Sequence, residues 1–138
     1  MSLPLAACLA AAAAFYQLPP RALVAIQAVE GGRVGMASRN ADGSEDLGPM
    51  QVNTRWLAPL AAATGLPPAE LRRRLVEDAC FNIRAGAAIL RIETNAAQGD
   101  LQVALGHYHS RTPARATAYR ARVLQAADRM FAPAAPRG

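Results

Sequence analysis

The chain of 138 residues contains no lysine, and all 15 of its basic residues are arginine. Aromatic side chains make up only 5%, and there are only two cysteines, Cys8 and Cys80, far apart in sequence. Two distant thiols without clustered histidine form neither a Cys-x-x-Cys redox motif nor a zinc-ligand pattern. Long hydrophobic runs are also missing. The longest, Leu3 to Phe15, falls short of the roughly 20 residues of a membrane span, so no transmembrane segment is expected. Met1 and Ser2 supply no positive region for a secretory signal, and Leu5-Ala6-Ala7-Cys8 lies too near the start for a complete lipidation signal. The alternative is an amphipathic first helix from Leu3 to Tyr16, halted before Pro19-Pro20. At this length one domain is expected, not a multidomain machine.

What is present is alanine, about a quarter of the chain, within an apolar fraction of 52%. That composition, poor in aromatics, predicts closely packed helices and an all-α fold. The net charge of +5 and a pI near 10.2 point to an anionic partner, with nucleic acid, an acidic membrane surface and a carboxylate-rich polymer all compatible. Pro20 opens a second helix that runs to Glu30 and is ended by Gly31-Gly32. Arg33 to Gly48, with Asn40, Asp42, Gly43, Ser44 and Asp46, reads as a long structured loop, and loops of that length are commonly functional. Thr54 is the expected cap of a helix carrying Trp56, Leu57 and Leu60, broken at Gly65. Further helices are predicted from Pro67-Pro68, from Asp78, from Asp100 to about His109, and from Thr112-Pro113 through Tyr119 and Val123 to Met130. Residues 1–131 are expected to form one domain and 132–138 a frayed tail.

Glu30 is the first candidate for chemistry. It ends an apolar helix, and a carboxyl on an apolar wall loses hydration when charged, so its pKa rises towards neutrality and it can act as a general acid. Gln51 and Asn53 follow the Gly/Asp-rich loop, and their amides suit sugar hydroxyls and acetamido groups. His107 and His109 stand two apart on a helix and share no face, which argues against a two-histidine metal site. Arg72-Arg73-Arg74 reads as a solvated helix face, and Trp56 as core more than sugar platform. Cys8 and Cys80 are either independent buried thiols or a bridged pair.

Glu30-Gly31-Gly32, the segment Arg39 to Asn53 with Gly48-Pro49-Met50-Gln51-Val52-Asn53, and Trp56-Leu57 together resemble the soluble lytic transglycosylases, in particular the small branch that accompanies bacterial secretion and conjugation systems. Cys80-Phe81-Asn82-Ile83 with Gly86-Ala87 is similar to that branch's Cys-x-Asn-Ile-x-x-Gly-Ala segment, and Ala104 to Ser110 is similar to its tyrosine-containing cleft motif. The resemblance runs from about Cys8 to Val123.

It implies a lysozyme-like, goose-type fold and cleavage of the β-1,4 bond between N-acetylmuramic acid and N-acetylglucosamine in peptidoglycan, leaving 1,6-anhydro ends. Glu30 would be the one obligatory acid/base, Gln51 and Asn53 cleft residues, Met50 apolar lining, and Tyr108 a hydrogen-bonding group near Glu30. His109 would join them where many relatives have Asn. Gly31 replaces the usual Ser and Pro49 the usual Leu or Ile. Asp46 is either a second carboxylate that permits true hydrolysis or a turn residue. No cofactor and no metal are implied. The implied partners are glycan strands and secretion or conjugation proteins, with the protein a monomer in the periplasm, where Cys8 and Cys80 would be bridged. Carboxylates of stem peptides and lactyl groups would meet the basic last helix with Arg111, Arg115, Arg120 and Arg122. Two other readings are a non-catalytic peptidoglycan-binding scaffold and a nucleic-acid binder; the acidic stretch Asp42 to Asp46 and the lack of a recognition helix argue against the second.

Overall fold

A computed structural model describes residues 4–133. In chain order the helices are α1 (Leu5–Tyr16), α2 (Pro20–Glu30), α3 (Leu57–Thr64), α4 (Pro68–Glu77), α5 (Ala79–Ala96), α6 (Leu101–His109) and α7 (Pro113–Phe131). Between α2 and α3 lie strands β1 (Ala37–Arg39), β2 (Glu45–Leu47) and β3 (Val52–Asn53), then a single 3-10 turn, Thr54–Trp56.

The helix ends follow local chemistry. Pro20, Pro68 and Pro113 occupy first turns, where a missing N–H costs nothing. Asp78 accepts from the Phe81 amide and Asp100 from the Val103 amide, each satisfying an orphan donor. Gly31 and Gly65 close α2 and α3 in the left-handed conformation. One expected cap is corrected. The Asn53 side chain, not Thr54, caps the 3-10 turn, while Thr54 Oγ1 accepts from the Glu45 amide and ties the turn to β2. Thr112 stands at the start of α7, but its side chain makes no capping bond.

The prediction of a helical fold holds, with one addition. Residues 33–48, read as a loop, contribute two strands of a three-stranded antiparallel sheet, ordered β1-β2-β3, in which Ser38 pairs Asp46 and Asp46 pairs Asn53. Strands of two or three residues are too short to display a period-two pattern.

Helix α5 is the shaft of the fold, touching α1, α4, α6 and β3. It buries residues on nearly every face, including Ile83, Ala87, Ile89 and Leu90. Small residues set the spacing. A Cβ on Gly86 would come within 3.0 Å of Met50 Cβ, and one on Gly106 within 2.7 Å of the Ala116 carbonyl on α7. The polar groups buried on this shaft are paired. Glu93 accepts from Arg111 Nη2 at 3.0 and 3.1 Å through its two oxygens, and Thr94 donates to the Leu90 carbonyl.

Asn82 is fully buried, and its amide binds three separate segments. It donates to the Leu47 carbonyl at 2.7 Å and the Leu75 carbonyl at 2.9 Å, and accepts from the Met50 amide at 2.8 Å. This one side chain fixes the end of β2, the end of α4 and the turn after β2 to the shaft.

Helix α1 packs Cys8, Leu9, Ala12 and Ala13 inward, and a disulfide joins Cys8 to Cys80 at the start of α5 with 5.2 Å between Cα atoms. The bridge settles the alternatives left open by the sequence and leaves the Cys8 sulfur no site for a lipid. The expected amphipathicity is not there: Leu5 and Phe15 are exposed on a helix without a charged residue. No helix among the described residues is long and apolar enough to cross a membrane. Of the tail expected at 132–138, residues 134–138 lie outside the described residues.

Candidate active site

A cleft of about 450 Å³ opens between the sheet on one side and the ends of α2, α6 and α7 on the other. Glu30 lines it as the last residue of α2, with no cation in the final helical turn to hold a negative charge. Its Oε1 accepts a 2.8 Å hydrogen bond from the Tyr119 hydroxyl of α7. Burial raises the Glu30 pKa from 4.5 to about 7; the Tyr119 bond opposes the rise, the Asp46 charge adds to it and Arg122 opposes it. At neutral pH a substantial share of the carboxyl is therefore protonated and able to donate.

The sheet wall is a hydrogen-bonded lattice. Asp46 Oδ1 accepts from Asn53 Nδ2 at 2.9 Å and Oδ2 from Asn40 Nδ2 at 3.2 Å. Both amides also reach Ser44 Oγ, at 3.0 Å from Asn40 and 3.1 Å from Asn53, while Ser44 Oγ donates to Asp42 Oδ1 at 2.6 Å. The antiparallel register, with Asp46 opposite Asn53, produces this lattice directly.

Below Glu30 the turn before β3 is held tightly. Gln51 adopts a left-handed backbone (φ 51°) and donates from Nε2 to the Gly48 carbonyl at 2.9 Å. Gly32 passes against that carbonyl, and a Cβ there would collide with it and lie 2.9 Å from Gln51 Nε2. Glycine at position 32 is thus required by close approach.

The tyrosines have different tasks from those expected. The bond to Glu30 comes from Tyr119, which the sequence pattern places only as part of the last helix. Tyr108 is buried, and its hydroxyl donates to the Met50 carbonyl at 2.9 Å, so it anchors the turn beneath the cleft. Burial and nearby negative charge, Glu30 first, push both phenols above their usual range, so they stay protonated donors. His109 stacks on Tyr119, with ring centroids 4.9 Å apart and 11° between planes. Burial lowers the His109 pKa, Asp46 acts against that, and Arg122, Arg115 and Arg55 reinforce it; the imidazole is neutral at neutral pH.

Glu30, Asp46, Gln51, Asn53, Tyr108 and His109 all line one cleft. Met50 does not. Its side chain is fully buried against Gly86, so the expectation of an apolar cleft lining is corrected to a core residue under the floor. Trp56, read as core, is partly buried and lines the cleft as well. His107 points elsewhere, with Nδ1 3.9 Å from Glu93 Oε2. Among the described residues no group of three or more histidine, cysteine or acidic side chains could hold a metal ion. Arg72 pairs with Glu45, and Arg73 and Arg74 with Glu70, which accounts for the arginine run as an ion-paired surface.

A helical bundle around one central helix, a small sheet facing it across a cleft, and a half-buried carboxyl of raised pKa within that cleft fit a lysozyme-like domain with an acid placed for proton transfer. The transglycosylase SLT domain model matches residues 7–128, and the chain belongs to that family. The family cleaves peptidoglycan, outside the cytoplasm, by transglycosylation, so peptidoglycan is the substrate and the activity is of that general type. No curated protein matches the chain.

Proposed function

We propose that the protein is a lytic transglycosylase that cleaves the MurNAc-GlcNAc bond with Glu30 as its only acid/base. The observation that carries this reading is the Glu30 carboxyl, of pKa about 7, hydrogen-bonded to Tyr119 and facing the cleft. Glu30 gives its proton to the glycosidic oxygen as the bond from the muramic acid C1 breaks. The resulting carboxylate then takes the proton of the same sugar's 6-hydroxyl as that oxygen closes on C1. The product is a 1,6-anhydro end, no water is consumed, and Glu30 finishes protonated. Gln51, Asn53 and His109 hold the sugars from the two cleft walls.

Asp46 favours a second reading, hydrolysis by a muramidase, because it shares the cleft and its charge raises the Glu30 pKa. Against that, both of its oxygens already accept from Asn40 and Asn53, which suits a structural carboxylate better than a base for water. The protein is proposed to act as a monomer in the periplasm, opening the wall locally for a secretion, conjugation or pilus apparatus. The decisive experiment is digestion of purified peptidoglycan and analysis of the released muropeptides. Anhydro ends lost in Glu30→Gln support the transglycosylase; reducing ends, lost in Asp46→Asn, would support the muramidase. Retention on peptidoglycan with nothing released would indicate a scaffold.

A further inference from the structure

Helices α6 and α7 approach so closely that a Cβ on Gly106 would lie 2.7 Å from the Ala116 carbonyl. One helical turn beyond each of these residues stand His109 and Tyr119, on the same faces as Gly106 and Ala116. Their rings lie 4.9 Å apart at the centroids with 11° between planes. The two rings differ in exposure. Tyr119 is 3% exposed, whereas His109, the last residue of α6, is exposed and lines the cleft. Tyr108 is also stacked relative to Tyr119, but farther away at 6.4 Å, and its hydroxyl is committed to the Met50 carbonyl. Among the described residues it is the stack that ties the His109 ring to the rest of the protein.

The O–H bond of a phenol prefers the plane of its ring, because the oxygen lone pair conjugates with the ring. The plane of Tyr119 therefore decides how well its hydroxyl, 2.8 Å from Glu30 Oε1, is aimed at that oxygen. A flat ring laid on Tyr119 resists rotation of that plane. We propose that His109 is a positioning residue: its ring, stacked on Tyr119, fixes the plane in which the phenol donates to Glu30. The role is additional to the sugar contact proposed for His109, and it rests on Glu30 being the acid of the same site. A neutral imidazole suits it, since a cation there would itself favour the ionised carboxyl. Burial keeps the ring neutral first, and Arg122 and Arg115 of α7 with Arg55 of the turn after β3 reinforce this, while Asp46 of β2 opposes it. The His109 charge therefore stays out of a Glu30 titration centred near pH 7.

The test reads the carboxyl directly, without substrate. The Glu30 carboxyl carbon is titrated by NMR in protein with labelled glutamate, its signal assigned by its loss in Glu30→Gln. His109→Ala is expected to raise the Glu30 midpoint by about half a unit, because a loosely held phenol favours the ionised form less. His109→Phe, which keeps a flat ring and has no charge, should keep the midpoint of the parent. In Tyr119→Phe, which lacks the hydroxyl through which His109 acts, adding His109→Ala should move the midpoint no further. An unmoved or lowered midpoint in His109→Ala overturns the positioning role. So does a shift of the same size in the Tyr119→Phe background, which would mean that the imidazole acts on Glu30 without the phenol. A raised KM for peptidoglycan in His109→Ala with the midpoint unmoved would leave the ring as a sugar contact alone. Failure of the broader reading looks different: no muropeptides released from peptidoglycan by the unmodified protein, whatever the midpoints.

Discussion

Tyr119 donates its hydroxyl proton to Glu30 across 89 positions of sequence, at 2.8 Å, and stacks at the same time on His109. The hydroxyl stabilises the ionised carboxyl, so it restrains a pKa that burial alone would drive higher. Tyr119→Phe removes that restraint. Activity that depends on protonated Glu30 should fall as pH rises through about 7 in the parent. In the variant that limb should move upward by roughly one unit, with a lower maximum. A pH profile of kcat/KM checks this; an unmoved limb would mean that the phenol does not set the carboxyl's proton affinity.

The same carboxyl destabilises the fold at high pH. Its folded pKa, about 7, exceeds the ordinary 4.5, so between these values the native state holds more protons than the unfolded state, and stability falls as pH rises. Glu30→Gln removes this cost. It should abolish cleavage while raising stability at pH 9 by up to about 3 kcal/mol and far less at pH 4. Guanidinium unfolding at the two pH values measures the difference, and a variant no more stable at pH 9 than the parent contradicts the burial argument.

Asn82 is where stability and site geometry meet. Asn82→Ala leaves the Leu47 and Leu75 carbonyls and the Met50 amide without their partner. At about 1 to 3 kcal/mol for each buried group left unsatisfied, the loss should be at least several kcal/mol. Asn82→Asp keeps one acceptor but buries a charge and loses both donors, so it should be similarly damaging. Chemical denaturation gives the magnitude; a loss below about 1 kcal/mol would mean that water replaces the amide.

The Cys8–Cys80 bridge encloses a separation of 72 residues. On loop-closure entropy it should stabilise the fold by about 4 kcal/mol. Unfolding of the double variant Cys8→Ser/Cys80→Ser measures this without reductant, and a midpoint equal to that of the oxidised parent would refute it.

Much of the helical framework is legible because its punctuation is local. Pro20, Pro68 and Pro113 mark starts, Gly31 and Gly65 mark ends, and Asp78 and Asp100 cap α5 and α6. Glu30 is legible because a carboxyl ending an apolar helix is a local anomaly. The sheet is hidden because Glu45 to Leu47 pairs through Asp46, a residue that signals a turn. Met50 and Tyr108 depart from expectation for a reason of direction: an apolar or phenolic group near such a motif can turn to the cleft or inward, and here the Met50 side chain packs on Gly86 while the Tyr108 hydroxyl is taken by the Met50 carbonyl. Tyr119 escapes notice because its spacing on α7 fits a core position equally well. Only the long-range packing of α2 against α7 reveals that its hydroxyl reaches Glu30.

That packing also sets a timetable. Glu30 is made before its hydroxyl partner Tyr119 and before the cleft residue Arg115, both of which come from α7. Contacts so distant in sequence are slow to form and close only after the chain between them has collapsed. A chain that has not yet completed α7 therefore holds the Glu30 carboxyl without the hydroxyl that tunes it, and on the proposed reading the ability to cut waits until α7 is finished.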